Sequence, residues 1–336
     1  MKSFSRREFV SAALSLGGAA ALGQAGVARS QAKGAPVPVR FTCGANLGYT
    51  NVFVAEGAGI FRKYGIEPQV LLFDVAFLGT EAVLAGQAET ATTAGFPMIN
   101  YVAKGADLVC PAVTITGDDI KIVTLTTITK AEDFVGKKVG LIIGSVAHYG
   151  FDRYLNHFKV AKDKVQIINV PAAEQIALFA KGDLDAFIWV EPVVSRGVEI
   201  MKGRAHVLEP GLEVAMRNRN YLQMKRSWAE KNQDVVLNIL RAHIEANEII
   251  KADPKVAGVH AGRKLNLPPG QIPELIRRGG FRWDVYLDAA QLAELGVVTE
   301  WMRENKRLAA EPGDMRRIMA PEYLRKVAPA NVIGFG

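Results

Sequence analysis

The sequence predicts an α/β protein whose chain builds two similar lobes with a cleft between them. The first observation is a repeat, because residues 41–92 and 139–188 both have the order strand, Gly-rich turn, helix, strand, helix, Gly-x-x-acid, strand. The second is that the chain after residue 211 is mostly helical in pattern and adds no further series of strands. Strands that alternate with helices form parallel sheets, and the loops at their carboxyl ends line a crevice. Two such units in one chain therefore predict a ligand cleft.

The composition is that of a large globular protein and argues against a nucleic-acid partner. Hydrophobic residues make up 49% and charged residues 22% of the 336 residues, which is enough for two lobes. The formal net charge is +7, but the basic residues are scattered and form no stripe interleaved with aromatic residues. We therefore expect a small-molecule partner and no nucleic acid.

The first 32 residues have the pattern of an export signal. Ser5–Val10 contains a twin-arginine motif, Ala12–Val27 is a run of small apolar residues, and Ser30–Ala32 is a small-x-small cleavage site. The apolar run is too short and too weakly apolar to favour a transmembrane helix, although a retained signal anchor is the other interpretation. We expect export by the twin-arginine route, cleavage after Ala32 or, alternatively, Ala28, and a periplasmic mature protein.

Breaks in the pattern divide the remaining chain. Gly117–Asp119 interrupts extended structure at the end of the first unit, and Pro210–Gly211 breaks the chain where a return crossing is expected. We therefore predict a first part of lobe 1 at residues 33–118, lobe 2 at residues 119–210, and a return to lobe 1 with C-terminal helices at residues 211–336.

The cysteines and histidines predict neither a metal site nor a cofactor. Cys43 and Cys110 lie in separate apolar strand-like runs, where buried thiols are favoured and a disulfide stays open. The five histidines have no metal-ligand spacing with each other or with the cysteines: His148, His157, His206, His243 and His260. Dinucleotide-binding and phosphate-binding glycine motifs are also missing from the sequence, and a Ser-His hydrolase would need a G-x-S-x-G turn that the chain lacks.

Several short motifs occur in an order and spacing that resemble one family. In the first unit these are Gly57–Pro68, Ala85–Glu89 and Lys104–Asp107, and in the second they are Asp133–Gly140, Gly144–Tyr149 and Gly182–Pro192. Together they resemble the periplasmic substrate-binding proteins of the nitrate, sulfonate and taurine ABC importers, a group that includes proteins binding thiamin pyrimidine precursors. The resemblance extends over nearly all of the chain after the export signal.

The resemblance implies a fold and partners. The fold would be the two-lobed Venus-flytrap architecture of the second type, with a hinge and extra C-terminal helices. Such a protein closes on its ligand and docks on an inner-membrane permease that works with an ATPase, and we expect it to act as a monomer. The chain departs from the family at Asp74–Phe77, where similar proteins often carry Ser and Gly. Because that loop helps to choose the ligand, the departure leaves the ligand open.

The turn at Gly144–Ser145 predicts an anion contact. It lies between a buried strand and a helix start, where the backbone N–H groups of Val146 and Ala147 lack helical partners and the helix dipole is positive. The Ser145 hydroxyl either caps the helix or contacts a ligand anion, and both roles can coexist.

Two carboxylates predict a contact with a cationic ligand group. Glu191 follows Trp189 at the end of a strand, and Asp74 follows an earlier strand. A carboxylate at the crevice would pair with an ammonium group or an N–H-bearing ring. The other interpretation is a salt bridge to a nearby Arg or Lys.

Aromatic side chains near strand ends are either core residues or walls that stack on a flat ligand. Asn46 is a candidate hydrogen-bond donor, and His148 is either a ligand contact at the helix start or a structural hydrogen bonder. The residues predicted to contact a ligand are Asn46, Tyr49, Asp74, Phe77, Gly95, Phe96, Ser145, His148, Tyr149, Trp189 and Glu191.

These observations predict a solute-binding protein that performs no catalysis. The ligand would be an aminosulfonate or another sulfonate-like molecule, with a nitrogen heteroaromatic as the close alternative. Two other functions stay open: an enzyme on the same fold related to thiamin pyrimidine synthesis, and a periplasmic sensor subunit.

Overall fold

The structure, a computed structural model, describes residues 35–336, so the predicted export signal lies outside the described residues. The strands are β1 (Val37–Gly44), β2 (Ile66–Phe73), β3 (Thr90–Thr93), β4 (Leu108–Gly117), β5 (Lys121–Leu125), β6 (Lys138–Leu141), β7 (Gln166–Asn169), β8 (Ala186–Trp189), β9 (Ala205–Val207), β10 (Asn218–Lys225), β11 (Leu287–Asp288) and β12 (Val332–Ile333). The helices are α1 (Thr50–Gly57), α2 (Ile60–Lys63), α3 (Phe77–Leu84), α4 (Gly95–Ala103), α5 (Val146–His157), α6 (Ala172–Lys181), α7 (Val193–Ile200), α8 (Arg226–Lys231), α9 (Gln233–Ala252), α10 (Pro254–Leu265), α11 (Ile272–Arg278), α12 (Ala290–Glu304) and α13 (Pro321–Arg325).

Two five-stranded sheets form the frame of the molecule. The first has the strand order β2-β1-β3-β10-β4, and the second has the order β7-β6-β8-β5-β9. In the first sheet β1 runs parallel to β2 and β3, and in the second β6 runs parallel to β7 and β8. The prediction of two similar α/β lobes is therefore confirmed.

Both sheets are mixed, which differs from the parallel sheets that the sequence predicts. The strand β10 is antiparallel to β3 and β4, and β5 is antiparallel to β8 and β9. Each of these two strands follows a crossing between the sheets. The chain passes from β4 to β5 through residues 118–120, and it returns from β9 to β10 through residues 208–217.

Each sheet has its own apolar core. On the first sheet, the ring of Phe41 from β1 stacks on that of Phe61 from α2 with 4.3 Å between ring centroids. The long helix α9 covers this region with Ile239 and Leu240, which are fully buried. Under the second sheet, Phe134 packs edge-on against Phe151 of α5 at 5.2 Å. Burying side chains of this size stabilises the fold by about 1.5–3 kcal/mol each.

The C-terminal helix α12 joins the two lobes. It packs on α4 of the first lobe, yet its Trp301 indole Nε1 donates a hydrogen bond of 2.9 Å to Asp152 Oδ2 on α5 of the second lobe. The indole is also edge-on to the rings of Tyr149 and Phe96. The sequence analysis predicts a return of these helices to lobe 1 and does not predict the contact with α5, because periodicity shows an apolar face but not the polar tip of a tryptophan. The described residues accordingly lie in one compact unit.

Cys43 and Cys110 are free, buried thiols. They lie on β1 and β4, and the strands β3 and β10 stand between those two strands. Three strand spacings amount to roughly 14 Å, about twice the Cα separation that a disulfide tolerates. Burial raises the pKa of both thiols, that of Cys110 to about 12.

Within residues 35–336, no helix combines the length and the apolar character needed to cross a bilayer.

The buried hydrogen bond of Trp301 should contribute measurably to stability. Trp301→Phe removes the only donor that lies within hydrogen-bond distance of Asp152 Oδ2 among the described side chains. We expect the free energy of unfolding to fall by about 1–3 kcal/mol, because the buried Asp152 carboxylate loses its hydrogen-bond donor and keeps the more distant ammonium of Lys162, whose Nζ lies 3.6 Å from Oδ2. Chemical denaturation followed by circular dichroism measures this loss. Trp228→Phe is the matched control, since the partly buried Trp228 donates no side-chain hydrogen bond to another described residue. Equal losses in both variants would contradict the role of the bond.

The buried His243 on α9 should make the protein acid-sensitive. Burial lowers the pKa of His243 to about 4, so the folded state holds it neutral while the unfolded state takes up a proton below about pH 6.5. Stability from this group is fully present above pH 6.5 and is lost as the pH falls toward 4. Between pH 7 and 4.5 we expect a loss of roughly 2–3 kcal/mol from this residue.

Denaturation curves at the two pH values measure this contribution. His243→Gln should remove that part of the pH dependence, whereas His157→Gln, at an exposed position, should keep it. A pH dependence that is the same in both variants would show that His243 does not carry the effect.

Candidate functional site

A cavity of about 250 Å³ lies between the two sheets and takes its walls from both lobes, from the crossing at residues 118–120 and from the start of β10. Its first-lobe walls come from the turn after β1, the loop after β2 and the start of α4. Its second-lobe walls come from the start of α5 and the end of β8. We call it cavity 1. It is lined by Asn46, Tyr49, Asp74, Val75, Ala76, Phe77, Thr93, Ala94, Phe96, Pro97, Asn100, Tyr101, Lys104, Asp119, Ile120, Gly144, Ser145, Val146, Ala147, Trp189, Val190, Asn218 and Asn220.

One wall of cavity 1 is the N-terminus of α5, which presents hydrogen-bond donors. Ser145 is the N-cap, and its Oγ accepts a hydrogen bond of 3.2 Å from the backbone N–H of Ala147. The neighbouring N–H of Val146 has no acceptor among residues 35–336. A free N–H at the positive end of a twelve-residue helix favours the acidic group of a ligand.

The crossings between the sheets supply a buried carboxylate. Asp119 is only 4% exposed, and its Oδ1 accepts a hydrogen bond of 3.2 Å from Nδ2 of Asn218, the first residue of β10. Burial raises the pKa of Asp119 to about 6, although the bond from Asn218 acts in the opposite direction. The group is therefore ionised at neutral pH and attracts a cationic partner.

Amide oxygens next to Asp119 also lack donors. Asn220 is 3% exposed, and its Nδ2 donates to the carbonyl oxygen of Gly48 at 2.9 Å, while its Oδ1 has no hydrogen-bond partner. The same is true of the Oδ1 atoms of Asn218 and Asn100, which also line cavity 1. Buried acceptors without donors are costly, so this wall is suited to a ligand with several N–H groups.

Aromatic rings form the remaining walls. Tyr49 and Phe96 are buried, Trp189 is half-buried, and Phe77 is 37% exposed at the rim. Asp74 is exposed beside Phe77. Rings of this kind enclose the apolar part of a small ligand or stack on a flat one.

Seven of the eleven predicted site residues line cavity 1. They are Asn46, Tyr49, Asp74, Phe77, Phe96, Ser145 and Trp189. Gly95 and Tyr149 instead line a second cavity, of about 320 Å³, and Phe96 lines both. Glu191 and His148 line neither of these two cavities.

Glu191 is held by the helix that follows it. Its Oε1 accepts a hydrogen bond of 2.8 Å from Ser195 Oγ, and its Oε2 accepts one of 3.0 Å from the Ser195 backbone N–H. The side chain is 6% exposed and forms no ion pair with any Arg or Lys in the described part of the chain. Both carboxylate oxygens thus accept hydrogen bonds from Ser195 on α7.

His148 lies on α5 and contacts the turn before this helix and Trp301 on α12. Its Nδ1 accepts a hydrogen bond of 3.2 Å from the backbone N–H of Gly144, and its ring is edge-on to Trp301 at 5.1 Å. Burial lowers the pKa of His148, while the nearby Asp152 acts in the opposite direction. In this structure His148 shapes the turn before α5 and has no contact with cavity 1.

The sequence analysis missed the polar residues of the crossings. Asp119 lies in Gly117–Asp119, which the sequence analysis interprets only as a break in the strand pattern, and it assigns no role to Asn218 and Asn220 on β10. The signal that could have found them is that both crossings must pass through the cleft, so their polar side chains face it.

Clustered metal ligands and reactive thiols are two features that an enzyme could use. Between residues 35 and 336 there is no group of three or more His, Cys, Asp or Glu residues that could hold a metal ion. Neither buried cysteine lines cavity 1, and their raised pKa values keep both thiols protonated.

Comparison with characterised sequences gives two relatives. The chain is 26% identical over 171 residues to the taurine-binding periplasmic protein of Escherichia coli K12, covering 48% of this chain and 52% of the relative. It is 25% identical over 191 residues to a putative aliphatic sulfonates-binding protein of the same organism, covering 56% of this chain and 59% of the relative. The chain thus matches little more than half the length of these relatives.

Solved structures with the same fold include binding proteins and an enzyme. The periplasmic aliphatic sulphonate binding protein SsuA of Escherichia coli has a TM-score of 0.73 at 20% identity, covering 87% of this chain and 99% of that one. SsuA of Xanthomonas axonopodis, bound to MOPS, has a TM-score of 0.72 at 16% identity, covering 85% and 100%. The desulfurization enzyme DSZB has a TM-score of 0.66 at 14% identity, covering 88% and 99%.

These structural likenesses show that the fold is the predicted one. The family model described as NMT1/THI5 like matches residues 46–257. Because that match covers more than half of the chain, this chain belongs to the NMT1/THI5-like family.

Proposed function

We propose that this protein is an extracytoplasmic solute-binding protein that holds a small zwitterion in cavity 1 and delivers it to an ABC importer. The observation that carries the proposal is the pairing of the donor-bearing start of α5 with the buried carboxylate of Asp119 in one cavity. The names of the relatives, which refer to taurine and aliphatic sulfonates, support the same ligand class.

The acidic end of the ligand would lie at the start of α5. There the free N–H of Val146 and the Ser145 hydroxyl offer hydrogen bonds to sulfonate or carboxylate oxygens. These contacts need no cationic side chain, because the helix dipole supplies part of the charge.

The ammonium end would lie at the crossings. Asp119 supplies the negative charge, and the donor-free Oδ1 atoms of Asn218 and Asn220 accept the remaining N–H groups. An aminosulfonate satisfies both ends. The volume of about 250 Å³ also suits it, since pockets for drug-sized ligands begin at about 300 Å³.

A nitrogen heteroaromatic is the second candidate ligand. The rings of Tyr49, Phe96 and Trp189 would stack on or enclose a flat molecule, and the Asn oxygens would accept its ring N–H groups. Such a ligand leaves the α5 start without an anion, which is why the zwitterion is favoured.

If the protein were an enzyme, a ligand bound in cavity 1 would be chemically altered, whereas a solute-binding protein releases it unchanged. The fold accommodates an enzyme, as DSZB shows, but the two thiols here do not line cavity 1 and are protonated. We propose binding without turnover. Chromatography of a ligand recovered after long incubation would reveal altered product if the enzyme alternative held, and genes for a sensor kinase beside this one would favour a sensor subunit.

The proposal includes a location and a docking partner. Residues 1–32 would direct export by the twin-arginine route, with cleavage near Ala32, and the mature monomer would act in the periplasm. Closure of the lobes on the ligand would be the state that the permease and its ATPase accept.

Asp119 gives the central test of the ligand class. With taurine as the probe, Asp119→Asn should weaken the dissociation constant by tenfold or more, because the ammonium loses its charged partner. Taurine binding by the parent should also weaken by about tenfold between pH 7.5 and pH 5, since Asp119 takes up a proton as the pH falls through about 6.

Isothermal titration calorimetry at both pH values measures these constants. Asp163→Asn, at an exposed position in the second lobe, is the matched control and should bind as the parent does. Unchanged affinity in Asp119→Asn, with the same pH profile, would eliminate Asp119 as the cation partner.

Glu191→Gln decides the predicted ligand role of Glu191. Because Ser195 already occupies both carboxylate oxygens, we expect the dissociation constant for taurine to stay within about threefold of the parent. A thermal-shift titration is a sufficient measurement, since ligand at one hundred times its dissociation constant adds about 2.7 kcal/mol. Loss of the shift would mean that Glu191 turns toward the ligand when it binds.

A further inference from the structure

The second cavity, of about 320 Å³, lies on the other side of Phe96 from cavity 1. We call it cavity 2. The two cavities share the wall residues Ala94, Phe96, Val146 and Asn218. Cavity 2 also takes residues from both lobes, since α5 forms one side of it and α12 with β10 forms the other. A molecule bound there would therefore touch both lobes.

The wall between the cavities is built from packed rings. The Phe96 ring is edge-on to Tyr149 at 5.2 Å and to Trp301 at 5.6 Å. Trp301 is itself held by its hydrogen bond to Asp152. The Phe96 ring is thus packed on two sides, is 7% exposed and separates the two cavities in this structure.

Most charged groups of cavity 2 already have partners. Arg219 is paired with Glu294, and its Nε also donates to the Tyr286 hydroxyl at 3.0 Å. Arg217 Nε lies 3.6 Å from Asp118 Oδ1. Glu213 Oε1 accepts a hydrogen bond of 2.7 Å from the backbone N–H of Gly211, and its Oε2 lies 3.6 Å from the ammonium of Lys121.

Arg153 is the exception. It projects from α5 at the mouth of cavity 2 and forms neither an ion pair nor a hydrogen bond with any residue that the structure describes. With the other charges paired, one positive charge remains at this cavity. The cavity thus favours an anion, and a guanidinium binds carboxylate or sulfonate oxygens in a bidentate manner.

The remainder of cavity 2 is apolar or aromatic. Its surface includes Met216, Leu295 and Val298, and the rings of Tyr149 and Tyr221. Such walls bury a hydrocarbon or aryl group at a gain of about 25 cal/mol per Å². The lining therefore pairs one anion contact with a large apolar surface.

We propose that cavity 2 is a second ligand site, which takes an organic acid with an apolar body and places its anionic group on Arg153. The ligand class is alkyl or aryl sulfonates and carboxylates without an ammonium group. This site is separate from the zwitterion site in cavity 1, because cavity 2 has no free carboxylate to match an ammonium group: Glu213 and Glu294 are both paired.

The test uses 1-hexanesulfonate as the probe and calorimetry of the mature protein. We expect the dissociation constant for hexanesulfonate to be at least tenfold higher in Arg153→Gln than in the parent protein. Arg196→Gln is the matched control, since Arg196 is an exposed arginine on α7 of the same lobe that lines neither cavity. Binding that is equal in Arg153→Gln and the parent would overturn the proposal.

A second variant tests the location without removing a charge. Val297 lines cavity 2 and is 46% exposed, so Val297→Trp can be introduced at the rim with little effect on folding. We expect it to weaken hexanesulfonate binding as well. Circular dichroism of each variant verifies that it is folded. A folded Val297→Trp that binds hexanesulfonate as the parent does would also overturn the proposal.

The two ligand assignments fail independently. Taurine affinity depends on Asp119 in our proposal and should be unchanged in Arg153→Gln, whereas hexanesulfonate affinity should be unchanged in Asp119→Asn. Crystals soaked with 4-bromobenzenesulfonate locate the bound molecule by the anomalous signal of bromine. A signal in cavity 1 alone would refute the second site and leave the zwitterion site standing.

Discussion

The hydrogen bond between Asp119 and Asn218 joins the two segments by which the chain passes between its lobes. One partner precedes β5 and the other opens β10, so the 3.2 Å contact ties the outward crossing to the return crossing. The cation-binding wall of cavity 1 depends on this junction. It holds the only buried carboxylate among the residues lining that cavity and orients the Asn218 amide, while the neighbouring Asn220 amide is held by the Gly48 carbonyl.

The second connection between the lobes is of another kind. Trp301 on α12 contacts α5 through one polar bond to Asp152 and through aromatic edges, at a distance in sequence from both crossings. The crossings join the lobes through the backbone, whereas Trp301 joins them through side-chain contacts in the arrangement that the structure has. Since the same indole supports Phe96, the wall between the cavities depends on the lobes keeping this arrangement.

The sequence predicts the fold better than the site, and the reasons are physical. Repeated strand–helix patterns identify two lobes, because buried parallel strands and their helices have a distinctive periodicity. Strand direction is not visible in that pattern, so the antiparallel placement of β5 and β10 had to come from the structure. A buried strand has the same apolar sequence pattern whether it runs parallel or antiparallel to its neighbours.

For the site, position at a strand end predicts proximity to the cleft but not the direction of a side chain. Ser145 and Trp189 follow this expectation and line cavity 1. Glu191 also follows a strand end, but its carboxylate accepts a hydrogen bond from the backbone N–H of Ser195, four residues later, and does not line cavity 1. Asp119 was missed because an interruption of a strand pattern indicates a turn and does not show what the turn encloses.

The strand order has a consequence for how the chain is made. The second sheet is contiguous in sequence, since its strands β5 to β9 follow one another within residues 121–207 and pair only with each other. The first sheet is not, because β10 inserts between β3 and β4, which are synthesised about a hundred residues earlier. During translation from the N-terminus, the β3 and β4 edges therefore stay unpaired until the whole second lobe has left the ribosome. The sheet of the second lobe is therefore complete first, although this lobe is synthesised later. The sheet of the first lobe is completed only when β10 inserts between β3 and β4.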